Sequence, residues 1–145
     1  MAAYNKFQDF VEQLGLAKHN LNTDLQLLML TNTQPVNTNT IKTNITEIGA
    51  GNGYNAGGED AQNTYAESGG TGTLTGTKIV WTAAGGTIGP FRWPVLYNDT
   101  EQTSPVRPLI GWWEYPTASI TLQIGETFSA KFNNSDTTGS ILTIA

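Results

Sequence analysis

The sequence predicts an all-β sandwich, jelly-roll-like, with one short N-terminal α-helix. Three observations lead there. Apolar stretches of strand length recur after residue 23, separated by Gly- and Pro-rich turns. Strands and helices do not alternate as they do in parallel-sheet folds. A single segment, at the N-terminus, carries a helical period.

That helix is expected within Tyr4 to Leu14. Phe7, Phe10, Val11 and Leu14 fall at i, i+3, i+4 and i+7 and so share one helix face. Gly15 stands where a left-handed cap closes such a helix. About three turns are too few to persist alone, so the face is expected to pack. It covers either one end of the β core or a neighbouring subunit, which makes it the candidate docking helix. Residues 1–22 are read as a helical arm and linker, and 23–145 as the sandwich domain.

Asp24 to Thr31 reads as a central strand, because its second half is apolar on both faces. A polar loop with Pro35 follows. Ile41, Ile45 and Ile48 are spaced ambiguously between a kinked strand and a helical turn. Residues 49–73, rich in Gly, Asn, Ser and Thr, read as a surface excursion. Thr73 to Thr82 is a strand, and Ile88 to Asn98 another, with Pro90 and Pro94 marking edge or bulge positions. A proline-containing loop, 99–108, leads to the stretch Leu109 to Tyr115. Ser119 to Ile124 and Thr127 to Phe132 flank a compact turn at Gly125 and Glu126. Ser140 to Ile144 is the last strand, making about eight.

Composition narrows the function. The 145 residues carry 7 basic and 12 acidic side chains, a net charge of -5. Charged residues are only 13% of the chain, about half the usual share, and Thr, Asn and Gly take their place. An acidic chain is a poor partner for a nucleic-acid backbone. No apolar run approaches the roughly 18–20 residues of a membrane helix. The N-terminus lacks the basic and apolar regions of a secretory signal, so none is expected. With no cysteine and one histidine, His19, there are no disulfides or zinc–thiolate sites. A Ser-His-Asp or multi-histidine centre has little to be built from. Neither catalytic residues nor a cofactor nor a metal site is expected, and the chain reads as non-enzymatic.

Candidate sites are few. Gly49 to Gly58 has the glycines of a phosphate loop, but no helix pattern and no Lys-Ser/Thr pair follow. Glu59, Asp60 and Glu67 lack the alternation of a calcium loop. Asp99, Glu101, Glu114 and Glu126 could supply the carboxylate pair of a glycan hydrolase, with Trp112, Trp113 and Tyr115 as a stacking platform. In a strand Trp112 and Trp113 face opposite sides, so one is expected in the core and the other exposed or at an interface. These three aromatics are the candidate interface residues. Sequons at Asn44, Asn98 and Asn133 read as chance matches. His19 reads as a polar linker residue.

Several blocks together resemble a family of small virion structural proteins of tailed bacteriophages. They are Leu28 to Val36, Ile45 to Tyr54, Gly57-Gly58, Thr82 to Arg92, Val95 to Thr100, Leu109 to Trp113 and Gly125 to Phe128. The blocks span most of the chain and define a fold more than a role. The resemblance implies a virion part assembled in the bacterial cytoplasm, either a capsid decoration (cement) protein on the outside of the head or a tail or fibre module. The major capsid protein is then the expected partner, and host surface glycans are the partner under the tail alternative. Icosahedral shells offer three-fold positions. Together with fourteen aromatics on few charges, this leads to an expected homotrimer.

Overall fold

The computed structural model describes residues 3–115 and 118–145. Strands make up 43% of the chain and helix 9%, and the all-β sandwich is the fold observed. In chain order the elements are β1 (Tyr4–Lys6), α1 (Asp9–Gly15), β2 (Gln26–Thr31), β3 (Glu59–Asp60), β4 (Thr64–Ser68), β5 (Thr71–Thr77), β6 (Ile79–Thr82), β7 (Ile88–Phe91), β8 (Trp93–Asn98), β9 (Leu109–Trp113), β10 (Ile120–Leu122), β11 (Thr127–Ala130) and β12 (Thr138–Ile144).

One layer is a five-stranded antiparallel sheet in the order β1-β9-β8-β2-β3. Facing it are three smaller ladders: β12-β5-β4, β11-β6 and β10-β7. The main core lies between the layers. Leu28, Leu30, Leu96, Ile110 and Trp113 enter it from the large sheet. Leu74, Trp81, Phe91, Phe128 and Ile141 enter it from the facing ladders. Aromatic contacts knit it together: Trp81 stacks on Phe128 at 5.9 Å, and Phe91 meets Phe128 edge-on at 4.9 Å.

The large sheet is apolar on its other face too. Side chains alternate along a strand, so Met29 points away from Leu28 and Leu30 and joins Val95, Tyr97, Leu109, Trp93 and Trp112 in a second cluster. Phe7 and Ile45 cover that cluster from outside the sheet. The short helical turn Lys42–Asn44 delivers Ile45, and the Asn44 side chain closes the turn by accepting from the Thr40 and Ile41 N–H groups. The ambiguous isoleucine spacing thus resolves as a turn of 3-10 helix followed by extended chain.

A bulge sets which tryptophan goes where. Leu96 pairs with Gly111 and Tyr97 with Leu109, which leaves Ile110 as the extra residue on β9. The bulge shifts the alternation by one, so Trp112 falls in the outer cluster and Trp113 in the main core. The Ile110 carbonyl accepts from the Phe7 N–H at 3.3 Å and the Tyr4 hydroxyl at 3.3 Å. The Tyr4 ring lies where a side chain on Gly111 would stand.

Several expectations are corrected. The N-terminal segment is not an arm ahead of the sandwich, because β1 is an edge strand of the large sheet, paired with β9. Residues 49–73 are not a surface excursion, because they contain β3, β4 and the start of β5, and they bury Tyr54 and Ala61. The stretch from Ile88 to Asn98 is two strands, and Pro94 sits opposite Leu30 in the interior strand β8. Pairing of β8 with β9 begins one residue later, at Val95, so the proline interrupts no ladder on that side. The turn at Gly125 does not join a hairpin, since β10 pairs with β7 while β11 pairs with β6.

The glycines at 53 and 58 explain why a glycine-rich stretch packs so closely. A Cβ on Gly58 would lie 2.0 Å from the Leu28 carbonyl oxygen, and one on Gly53 would lie 2.2 Å from the Thr82 carbonyl oxygen. Both residues have positive φ, +86° and +103°. Gly58→Ala is expected to cost roughly 2–4 kcal/mol from strain and overpacking. Gly49→Ala, with nothing within 4 Å, should stay within about 0.5 kcal/mol. Urea unfolding of the two variants checks the contrast, and equal midpoints would refute the packed arrangement.

Candidate functional site

The candidate docking helix is shorter than its periodicity suggests. Tyr4–Lys6 is drawn into the large sheet, so α1 starts at Asp9 and runs seven residues. Asp9 and Glu12 lie in its first turn, where carboxylates complement the helix dipole. Phe7 precedes the helix and is fully buried in the outer cluster, whereas Phe10 is buried in the main core. Leu14, one turn on, packs against the same core. Val11 is 55% exposed. The expected single face is therefore divided between two cores and solvent. The left-handed residue after the helix is Ala17, with φ of 59°, and not Gly15.

The candidate interface aromatics are also corrected. Trp113 is buried in the main core between Tyr4 and Phe132, at ring distances of 5.5 and 5.6 Å. Trp112 is buried in the outer cluster. Tyr115 is half-buried and packs edge-on against Phe128 at 4.9 Å. None of the fourteen aromatic side chains is exposed, so the aromatic surplus that motivated a subunit interface is absorbed by the fold. It offers no stacking platform either.

The carboxylates named as a possible glycosidase pair each serve a local partner. Asp99 accepts from Arg107 at 2.8 Å, and Glu114 pairs with Arg92 at 2.8 Å. Glu126 caps the turn by accepting from the Gln123 N–H at 2.8 Å. Glu101 accepts from the Thr103 hydroxyl and N–H, which hold its carboxyl below the usual range, and it lies 3.7 Å from Lys18. Glu59 accepts from Asn55 at 2.8 Å and Glu67 from the Gly70 N–H at 2.6 Å. Among the described residues no three His, Asp or Glu side chains are placed to hold a metal ion, and no helix is long and apolar enough to cross a membrane.

Two polar knots in the interior escape sequence reading. In the first, the Tyr54 hydroxyl accepts from the Leu30 N–H at 3.0 Å and donates to Glu47 at 2.7 Å. Glu47 also accepts from the Gly57 N–H at 2.6 Å and faces Lys42 at 3.3 Å. Burial is the main reason the Tyr54 phenol is pushed far up. The second knot contains His19, which is buried and not a linker residue. Asn98 accepts from the Thr100 and Glu101 N–H groups through Oδ1. That fixes its amide orientation, so Nδ2 is the atom facing His19 Nδ1 at 3.3 Å and Asp24 at 2.7 Å. His19 Nδ1 is then an acceptor, which places the ring proton on Nε2. The Phe10 ring lies 5.1 Å away.

No protein-family model, curated protein or solved structure matches the chain.

These positions give two expected outcomes. Phe7→Ala and Phe10→Ala should each lower stability by roughly 3–5 kcal/mol, while Val11→Ala should change it by less than about 0.5 kcal/mol. Chemical denaturation measures all three, and a neutral Phe7→Ala would remove the N-terminal segment from the core. The second outcome is acid lability. Burial lowers the His19 pKa to about 4 against an ordinary 6.5, opposed by the nearby Asp24, Asp9 and Glu101 carboxylates. Between those values the unfolded chain binds the proton and the folded chain does not. This contribution is therefore complete above pH 6.5 and is lost as pH falls to about 4, a change on the order of 3 kcal/mol. His19→Gln should flatten that part of the stability–pH curve, and an unchanged slope would show that other groups set it.

Proposed function

We propose that this chain is a non-enzymatic structural protein of a bacteriophage virion, a decoration protein that binds the outside of the head through the major capsid protein. The observation that carries the reading is how its chemistry is distributed. The carboxylates that could do catalysis are held in local ion pairs and turn caps. Apolar side chains of the helical segment, Val11 and Leu16, stand 55% and 60% exposed. The blocks resembling virion proteins point the same way, and so does a surface of Thr, Asn and Gly with few charges.

A trimer suits a three-fold lattice position, and its support is symmetry alone, since the aromatics are internal. Quantitative mass spectrometry of purified virions tests the assignment. Hundreds of copies per particle are expected for a decoration protein. A dozen or so would place the chain on the tail, and absence from the particle would defeat the virion reading. Sedimentation of the purified chain reads its oligomeric state in the same preparation.

A further inference from the structure

We propose that the seam between β1 and β12 is a docking slot for one extended segment of a partner protein, which pairs antiparallel along β12 with β1 on its other side. Each of these strands is the edge of its sheet: among the described residues β1 pairs only with β9, and β12 only with β5. Two hollows lie along the seam. One, about 300 Å³, has Ala3 and Tyr4 on one side and Ser140 and Ile141 on the other. The next, about 270 Å³, has Tyr4 and Lys6 facing Leu142, Thr143 and Ile144. The residue order shows that the two edges run in the same direction. A strand placed between parallel neighbours is antiparallel to both, and every ladder in the described residues is antiparallel.

The lining chemistry describes the occupant. An open strand edge presents unpaired backbone donors and acceptors, and an extended peptide is what satisfies them in register. The second hollow is walled on its remaining side by Phe10, Val11 and Leu14, so alternate side chains of the segment are apolar. Lys6 is the one charged residue lining that hollow, and it forms no salt bridge among the described residues. β1 runs towards Lys6, so an antiparallel segment enters at Lys6 and carries its carboxylate near its own N-terminal end. The stretch from Ser140 to Ile144 spans roughly 17 Å as a strand, which a six-residue segment covers. A second copy of this chain is a poorer fit. Its own β12 edge carries β5 and β4 alongside and would bring a whole sheet against β1. The inference stands apart from the virion reading, because it rests on the two edges and the hollows that line the seam.

The test is amide hydrogen exchange by NMR on the full chain, with the synthetic peptide acetyl-Asp-Val-Thr-Val-Thr-Val-amide in millimolar excess. Exchange of edge amides in 140–144 and 4–6 should slow at least tenfold. The same peptide with alternate N-methyl groups, or with its acid moved to the C-terminal end, should protect less. Lys6→Glu and Val11→Asp, both at exposed positions, should each lose most of the protection while keeping the wild-type spectrum elsewhere. No slowing with the acid-first peptide overturns the proposal, as does slowing that N-methylation and Lys6→Glu leave unchanged. Protection that grows with protein concentration in the absence of peptide would assign the seam to a second copy and also overturn it.

Discussion

The large sheet is apolar on both faces, and most of the molecule follows from that constraint. An antiparallel sheet can leave one face to water when its strands alternate apolar and polar. Here β2, β8 and β9 are buried nearly throughout. Two covers are therefore needed. The facing ladders supply one. The other is assembled from irregular chain, with Ile45 from the 32–47 loop and Phe7 from the turn before α1. Irregular chain carries backbone groups that must be satisfied. The Tyr54–Glu47 knot does this at the critical point: beyond the two residues of β3, the Leu30 N–H finds the Tyr54 hydroxyl and the Leu30 carbonyl accepts from Ile48. The glycine-rich segment is thus held against β2 by a phenol and a carboxylate. Gly58 is needed because the backbone there approaches the Leu28 carbonyl so closely.

The bulge at Ile110 is the second organising feature. Without it Trp112 and Trp113 would exchange faces, since a one-residue slip inverts a strand's sidedness. Its surplus carbonyl does not go unused, because the N-terminal segment hydrogen bonds to it through the Phe7 N–H and the Tyr4 hydroxyl. That contact brings β1 onto the sheet and sends Phe7 to one core and Phe10 to the other. A periodicity that looks like one helix face is in fact a strand, a plug and a short helix in succession.

The sequence carries the fold class clearly, and β2 stands out because its apolar run has no alternation. The opposite faces of Trp112 and Trp113 follow from strand geometry, although two apolar clusters, and not one, receive them. Other features were hidden for physical reasons. Three residues of β1 are too few to show a period, and their pairing depends on a bulge at Ile110, 106 residues on from Tyr4. Glycine at 53 and 58 signals a tight turn as readily as close backbone approach, and only the tertiary neighbours distinguish them. The Gly125 turn has the composition of a hairpin, but its two strands pair with different partners, β7 and β6, which are set by chain far from the turn. His19 looked like a linker residue because its partners, Asn98 and Asp24, are distant or offset in sequence. The neutral Asn98 amide between ring and carboxylate gives no charge pattern to read.

What the fold leaves on its surface limits how it can bind anything. Interfaces that depend on a few strong contacts draw on Trp, Tyr and Arg at their centre. Here the four Trp are buried, and Arg92 and Arg107 are paired with Glu114 and Asp99. The exposed apolar side chains are scattered aliphatics such as Val11, Leu16, Val36 and Ile124, each worth little alone. Adhesion from such a surface has two physical routes. One is repetition, in which many weak contacts on a regular lattice add through effective concentration. The other is the backbone itself, whose open strand edges bind an extended chain without aromatic anchors. A surface of Thr, Asn and Gly suits both, because it adds little charge to be screened and few long side chains to be ordered.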